Sequence, residues 1–324
     1  MAKNTKVTAQ RWFSLGQRVP YDLRAKRIIS PGEKTDSTEV LQVFRRVARS
    51  DAPGGAVTWT TFLPGFPDGS FGWARVEKEL AGEELGPKLF VEYVGQGESD
   101  KPAAYPYGTV ERADLVEALW EEQGVESTVL VTFDYSSLVA LELLNRQQES
   151  AAGPRIVNVL IINGGLFADA HSHPWFTTPL LKTPMGKMGT WAAQRSKLVF
   201  NQLVKVLYSK EYNVTSEELG ELYDAIARRN GVAFLSNAAG FVDEHRQNAN
   251  RWDLGRIVRA SSGDVSFHVV GSEDDIFEPK QIEKARERLG DQDLDIQVLP
   301  GGHMTTSEHP QLLAKMITDL RLGT

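Results

Sequence analysis

Asp134 stands where a β-branched apolar run, Ser127–Phe133, passes directly into the helical stretch Leu138–Gln148. A strand that turns sharply into a helix is where a nucleophile elbow holds a reacting side chain above a sheet. Strand and helix approach so closely there that the residues two before and two after the reacting one must be small. Ser136 as the reacting residue would put Asp134 and Leu138 at those places, Ser137 would put Tyr135 and Val139 there, and Asp134 puts Thr132 and Ser136 there. Asp134 fits the turn best. The alternative is that it only caps the following helix, a position aspartate favours.

Two more polar groups follow strand-like runs. Asp274 lies in Gly271–Pro279 after Val265–Val270, and His303 lies in the glycine turn Leu299–Met304 after Leu294–Leu299. Each alone would pass for a turn or capping residue. Groups that do chemistry in open α/β sheets collect at the carboxyl ends of strands, and nucleophile, acid, histidine is the chain order of a hydrolase triad. A fourth piece, Pro64-Gly65-Phe66-Pro67-Asp68 after the strand Val57–Leu63, is a tight turn whose backbone N–H groups can face a developing oxyanion. Taken alone, it would read as an ordinary turn.

A carboxylate with a reference pKa of about 3.9 is already ionised at neutral pH. Asp134 would therefore need no base to attack an electrophilic carbon and form an alkyl-enzyme ester. His303, oriented by Asp274, would then deprotonate the water that hydrolyses that ester. With no cysteine and six scattered histidines, thiol nucleophiles, disulfides and cysteine-based metal sites are excluded, and no metal or other cofactor is expected.

The elements that must position these residues are strand-sized runs alternating with helical ones. The runs are Val57–Leu63, Lys88–Tyr93, Ser127–Phe133, Arg155–Ile162, Val265–Val270 and Leu294–Leu299. Between them, Trp73–Leu80, Val110–Gln123, Leu138–Gln148, Lys280–Leu289 and Pro310–Leu320 carry apolar residues at helical spacing. This rhythm predicts an α/β fold with a mostly parallel sheet. From about Leu166 to Trp252 it breaks, with prolines at 174, 179 and 184 and helical patterning over Ser216–Arg229 but no strong strand. The expected organisation is a core of residues 1–165 and 253–324 with a helical cap at 166–252. Before the first of these runs, Arg27-Ile28-Ile29 and Val40–Val43 predict an antiparallel hairpin turning at Pro31-Gly32.

Composition narrows the partners. The chain has 324 residues and 43 acidic against 36 basic side chains, a net charge of -7, which lacks the basic footprint that binding nucleic acid requires. Its apolar runs fall far short of the roughly 20 residues needed to cross a bilayer. The polar, basic residues 1–19 do not read as a secretory signal, so the cytoplasm is the expected compartment. A monomer and a homodimer both fit.

With these motifs in place, the chain resembles the α/β-hydrolase superfamily from Trp12 to the last helix. Pro64-Gly65-Phe66-Pro67 is similar to the His-Gly-x-Pro oxyanion motif of epoxide hydrolases, and Gly95-Gln-Gly97-Glu-Ser99-Asp100-Lys101-Pro102 to their Gly-x-Gly-x-Ser-x-x-Pro motif. An aspartate at the elbow is shared by epoxide hydrolases and haloalkane dehalogenases. Phe133-Asp134-Tyr135-Ser136 is similar to the His-Asp-Tyr-Gly of the mesoderm-specific transcript family, as are Asn163–Phe167 and the stretch from Asn230 to Trp252. The chain departs from these patterns at Pro64 and Phe133, where a histidine is usual, and at Ser136 and Ser137, where glycines are usual.

The resemblance implies backbone oxyanion donors at Phe66 and Tyr135 and a small apolar organic substrate that reacts with water. For an epoxide it implies cap tyrosines that protonate the ring oxygen, with Tyr208, Tyr212 and Tyr223 as candidates. For a haloalkane it implies halide donors, with Trp175 and Trp191 as candidates. Each of these aromatics reads equally well as packing within the cap. Epoxide hydrolysis is the preferred expectation and haloalkane dehalogenation the alternative. The missing motif histidines favour a third reading, a binding module that holds an apolar ligand without turnover.

Overall fold

The strand Ser127–Phe133 crosses the centre of the molecule with all but its first residue buried, as expected of a strand covered on both faces. Its residues alternate between two cores. Val129, Val131 and Phe133 face one side, with Phe62, Leu160, Val270, Leu313 and Ile317. Leu130 faces the other, with Leu89, Val159, Leu119 and Leu141. Two buried threonines of this layer satisfy each other: Thr61 and Thr128 share a 2.9 Å hydrogen bond, and Trp120 Nε1 donates to Thr61 Oγ1 at 2.8 Å.

Nine strands make up the sheet: β1 Gln17–Asp22, β2 Arg27–Ile28, β3 Val40–Ala48, β4 Thr58–Leu63, β5 Lys88–Val91, β6 Ser127–Phe133, β7 Arg155–Ile162, β8 Ser266–Ser272 and β9 Leu294–Leu299. Their order is β2-β1-β3-β5-β4-β6-β7-β8-β9. From β5 through β9 every neighbouring pair is parallel, and the β2-β1-β3-β5 edge is antiparallel. This computed structural model describes residues 6–49, 57–81, 85–150, 153–170, 184–238, 244–261, 263–277, 280–292 and 294–323.

The six expected strands form within two residues of their expected ends. The leading hairpin differs from expectation. Arg27–Ile28 and Val40–Ala48 do not pair with each other; both pair with β1, which the sequence reading passed over. Pro20 breaks the pattern of β1 to the eye, but the strand accommodates it: the proline offers only its carbonyl, which accepts from Ile29 N–H at 2.8 Å.

Between β7 and β8 the described residues contain helices and no strand: Pro184–Arg195, Lys197–Lys205, Ser216–Ile226, Gly231–Ala238, Glu244–Gln247 and Leu254–Ser261. Ser216–Ile226 starts at a capping box, in which Thr215 and Glu218 satisfy each other's backbone N–H groups. It stops short of the expected Arg229, which adopts a left-handed conformation at φ 49°. Polar contacts seat this insertion on the sheet. Glu244 accepts from Thr109 N–H at 2.8 Å, Glu308 accepts from Ser209 N–H at 3.0 Å, and Arg229 pairs with Asp100 at 3.0 Å. No helix among the described residues is long and apolar enough to cross a membrane.

Candidate active site

Asp134 follows β6 with φ at +56°, a left-handed conformation uncommon outside glycine, which its surroundings hold in place. The surroundings do so from both sides. Its N–H donates to Ile162 O on β7 at 2.9 Å, while its C=O accepts from Ser137 N–H at 3.0 Å and starts the helix Ser136–Glu149. The two flanking positions, Thr132 and Ser136, are both fully buried. Ser136 Oγ also bonds Pro64 O and lies 2.9 Å from the Tyr93 hydroxyl, so a serine there ties three loops together. Across the turn, a Cβ at Gly164 would fall 2.5 Å from Ser137 Cβ, so only glycine lets the chain after β7 pass this close.

Asp134 is 6% exposed and its carboxylate is held at both oxygens. Oδ2 accepts from Phe66 N–H at 3.0 Å, and Oδ1 lies 3.4 Å from His303 Nε2. The Phe66 turn is fixed in its turn by Gln96, whose Nε2 donates to Gly65 O at 2.8 Å. Tyr135, the other expected oxyanion residue, occupies the N-cap of the helix beside Asp134.

His303 is 1% exposed and lies between the rings of Phe133, at 5.3 Å, and Phe277, at 4.8 Å. Its carbonyl accepts from Asn163 Nδ2 at 2.8 Å, which ties the histidine turn to the end of β7. Burial alone would push the imidazole pKa down. The charges of Asp275 and Asp134 outweigh burial and hold it well above the ordinary value of 6.5.

The acid that binds His303 is Asp275 and not the expected Asp274. Asp275 Oδ1 is 3.0 Å from His303 Nδ1 and also accepts from Phe277 N–H at 2.9 Å. Glu273 and Asp274 instead continue the pairing with the last strand through their N–H groups, to Leu299 O and Gly301 O, each at 3.0 Å. That pairing leaves the Asp274 side chain exposed and turns the next residue inward.

The three expected tyrosines separate. Tyr212 donates to Glu218 Oε1 at 2.8 Å and accepts from Arg75 at 2.9 Å, and Tyr223 donates to Gln194 O at 3.5 Å, so both hydroxyls serve the insertion and its seat. Tyr208 stacks on Tyr212 at 5.7 Å and forms part of a cavity wall with Asp68 and Met304. Trp191 is 57% exposed beneath Arg195, facing outward. Trp175 lies outside the described residues. Among the described residues no group of three or more acidic or histidine side chains is placed to hold a metal ion.

Sequence reasoning gave no role to two residues of this neighbourhood. Asn163 signals itself weakly, as an Asn-Gly pair after a strand. Asp68 gives no signal beyond being an aspartate in a turn, yet it is buried at 3% exposure with neither carboxylate oxygen hydrogen-bonded among the described residues.

Residues 62–316 match the model of the Alpha/beta hydrolase family. The mouse (Mus musculus) mesoderm-specific transcript protein is 25% identical over 230 residues, which are 69% of this chain and 67% of that protein. The haloalkane dehalogenase DbeA from Bradyrhizobium elkani superposes with a TM-score of 0.65 at 18% identity, over 87% of this chain and 94% of its own. The epoxide hydrolase CorEH superposes at 0.63 and 14% identity, over 86% of this chain and 94% of its own. At these identities the two structures report the fold alone, which is the one the sequence led us to expect.

Proposed function

We propose that this chain, which belongs to the alpha/beta hydrolase family, hydrolyses an epoxide to a diol, with Asp134 as nucleophile and His303 and Asp275 as its general-base pair. One observation carries the reading: the buried Asp134 carboxylate accepts from Phe66 N–H with one oxygen and meets His303, backed by Asp275, with the other. A residue that merely capped a helix would need neither contact.

In this mechanism Oδ2 stays against Phe66 N–H and Oδ1 bonds the substrate carbon. The ester that forms has its carbonyl oxygen already seated against a backbone donor, joined by Tyr135 N–H as charge develops on it. Alkylation also removes the Asp134 charge, one of the two that hold the His303 proton. The imidazole then loses affinity for a proton at the step that requires it as a base. His303 takes a proton from water, the water oxygen adds to Asp134 Cγ, and collapse of the adduct releases the diol.

Intact-mass spectrometry of His303→Ala after exposure to terminal epoxides and bromoalkanes tests this, with Asp134→Ala as control. The expected result is a hydroxyalkyl adduct that requires Asp134. An alkyl adduct from bromoalkanes only would assign haloalkane dehalogenation instead, and no adduct across the panel would overturn covalent catalysis.

A further inference from the structure

The chain carries a net charge of -7, yet residues 170–210, the first half of the insertion, hold six lysines and arginines and no aspartate or glutamate. The described part of this tract forms the helices Pro184–Arg195 and Lys197–Lys205. Each presents a face that the fold leaves uncovered. On the first, Met188, Trp191 and Arg195 follow at helical spacing and all are exposed, Met188 to 65%. On the second, Leu198, exposed to 69%, Gln202 and Lys205 share the outer face and exposed Val206 follows at its end, while Phe200, Val204 and Leu207 are buried beneath. Single exposed apolar residues are ordinary. Here, of the ten large exposed ones among the described residues, five lie between 188 and 206, so they form a patch.

The cations beside this patch are uncommitted. Arg195 lies over the Trp191 ring at 4.0 Å and donates to Trp191 O at 3.2 Å, and neither it nor Lys205 or Lys210 meets a carboxylate among the described residues. The acids of the neighbouring helix Ser216–Ile226 are already paired: Glu217 and Glu221 with Lys6, Glu218 with Arg75, and Asp224 with Lys197. Glu211, exposed and next to Lys210, ends the tract.

We infer that these two helices are a docking face for an anionic lipid bilayer, on which the molecule rests through the insertion without crossing the membrane. Tryptophan, leucine and methionine flanked by lysine and arginine are the side chains of helices that lie in the interfacial plane, where apolar groups sink about 5–10 Å and cations meet the negative surface. Met188, Trp191 and Leu198 supply the apolar surface, and Arg195 and Lys205 the charge. A second copy of the chain is a poorer occupant, since a two-fold interface would set the same cations against one another.

Co-sedimentation of the full chain with vesicles tests this, comparing pure phosphatidylcholine with an equal mixture of phosphatidylcholine and phosphatidylglycerol at low and at physiological ionic strength. Binding should require the anionic lipid and weaken as salt rises. Arg195→Glu with Lys205→Glu should reduce vesicle affinity by about 10-fold or more, through lost attraction. Trp191→Ser with Leu198→Ser should reduce it by about 10-fold or more at unchanged charge, through lost apolar burial. All four side chains are exposed; if one pair does not fold, the other decides. No sedimentation with the anionic vesicles at low salt, or binding that neither pair of substitutions alters, overturns the docking face. A dimer that the serine pair dissociates in size-exclusion chromatography, without vesicle binding, overturns it as well and assigns the patch to a second copy. None of these outcomes bears on adduct formation at Asp134, so the proposed reaction stands or falls separately.

Discussion

At the scale of single residues, one position separates the carboxylate that meets His303 from one that faces solvent. Asp275 sits between His303 Nδ1 and Phe277 N–H, whereas Asp274 lends only its backbone to the sheet edge and exposes its side chain. Asp275→Asn should therefore slow ester hydrolysis by at least about 100-fold, because an amide neither fixes the imidazole tautomer nor stabilises its cation. Asp274→Asn should stay within a few-fold, and parallel steady-state assays of the two variants check the assignment. Three acids in a row, Glu273-Asp274-Asp275, hide this choice from the sequence, since it depends on how far the pairing with the last strand continues. The turn at Asp134 was more legible, because crowding restricts it to small neighbours and the chain offers only one register that supplies them. Asp68 was not legible at all: its burial and its open oxygens exist only once Gly65, Gly72 and Met304 have gathered around it.

At the scale of elements, the strand and helix runs of the core announce themselves by composition because both faces of the parallel sheet are covered. β1 did not, since Pro20 interrupts its run and only the pairing of β2 and β3 on either side of it defines the strand. The contact that sets the height of the Asp134 turn is equally hidden. Gly164 lets the end of β7 pass against the start of the helix Ser136–Glu149, where any Cβ would meet Ser137 at 2.5 Å. Gly164→Ala should destabilise the protein by about 1–3 kcal/mol, the usual cost of overpacking. It should also reduce activity by tilting the turn, and urea unfolding with a parallel rate measurement checks both.

At the scale of the whole molecule, several buried groups push stability in the same direction with pH. His303 has a raised pKa, so its contribution is complete below about 6.5 and is lost as pH rises through the folded-state value. Burial raises Asp68 and Glu92 to about 7, so the penalty for ionising them is absent below their ordinary values near 4 and complete above about 7. Glu142 acts in the opposite sense. Burial would raise it, but donors from Arg251, Trp252 and Arg146 hold it at about 2, so its contribution is present above about 4.5 and lost in strong acid. Stability should therefore peak near pH 5 and the melting temperature should be lower at pH 8 by roughly 5 °C, a loss that Asp68→Asn should reduce; calorimetry across this range checks it. The route of the chain has a different kind of consequence. β7 and β8 are hydrogen-bonded neighbours, so to the sheet everything between them is one long loop. An excursion of that kind can lengthen, shrink or be exchanged by descent without disturbing a single strand pairing. Two lineages can then inherit the same carboxylate and histidine and still part company over which molecules are admitted to them.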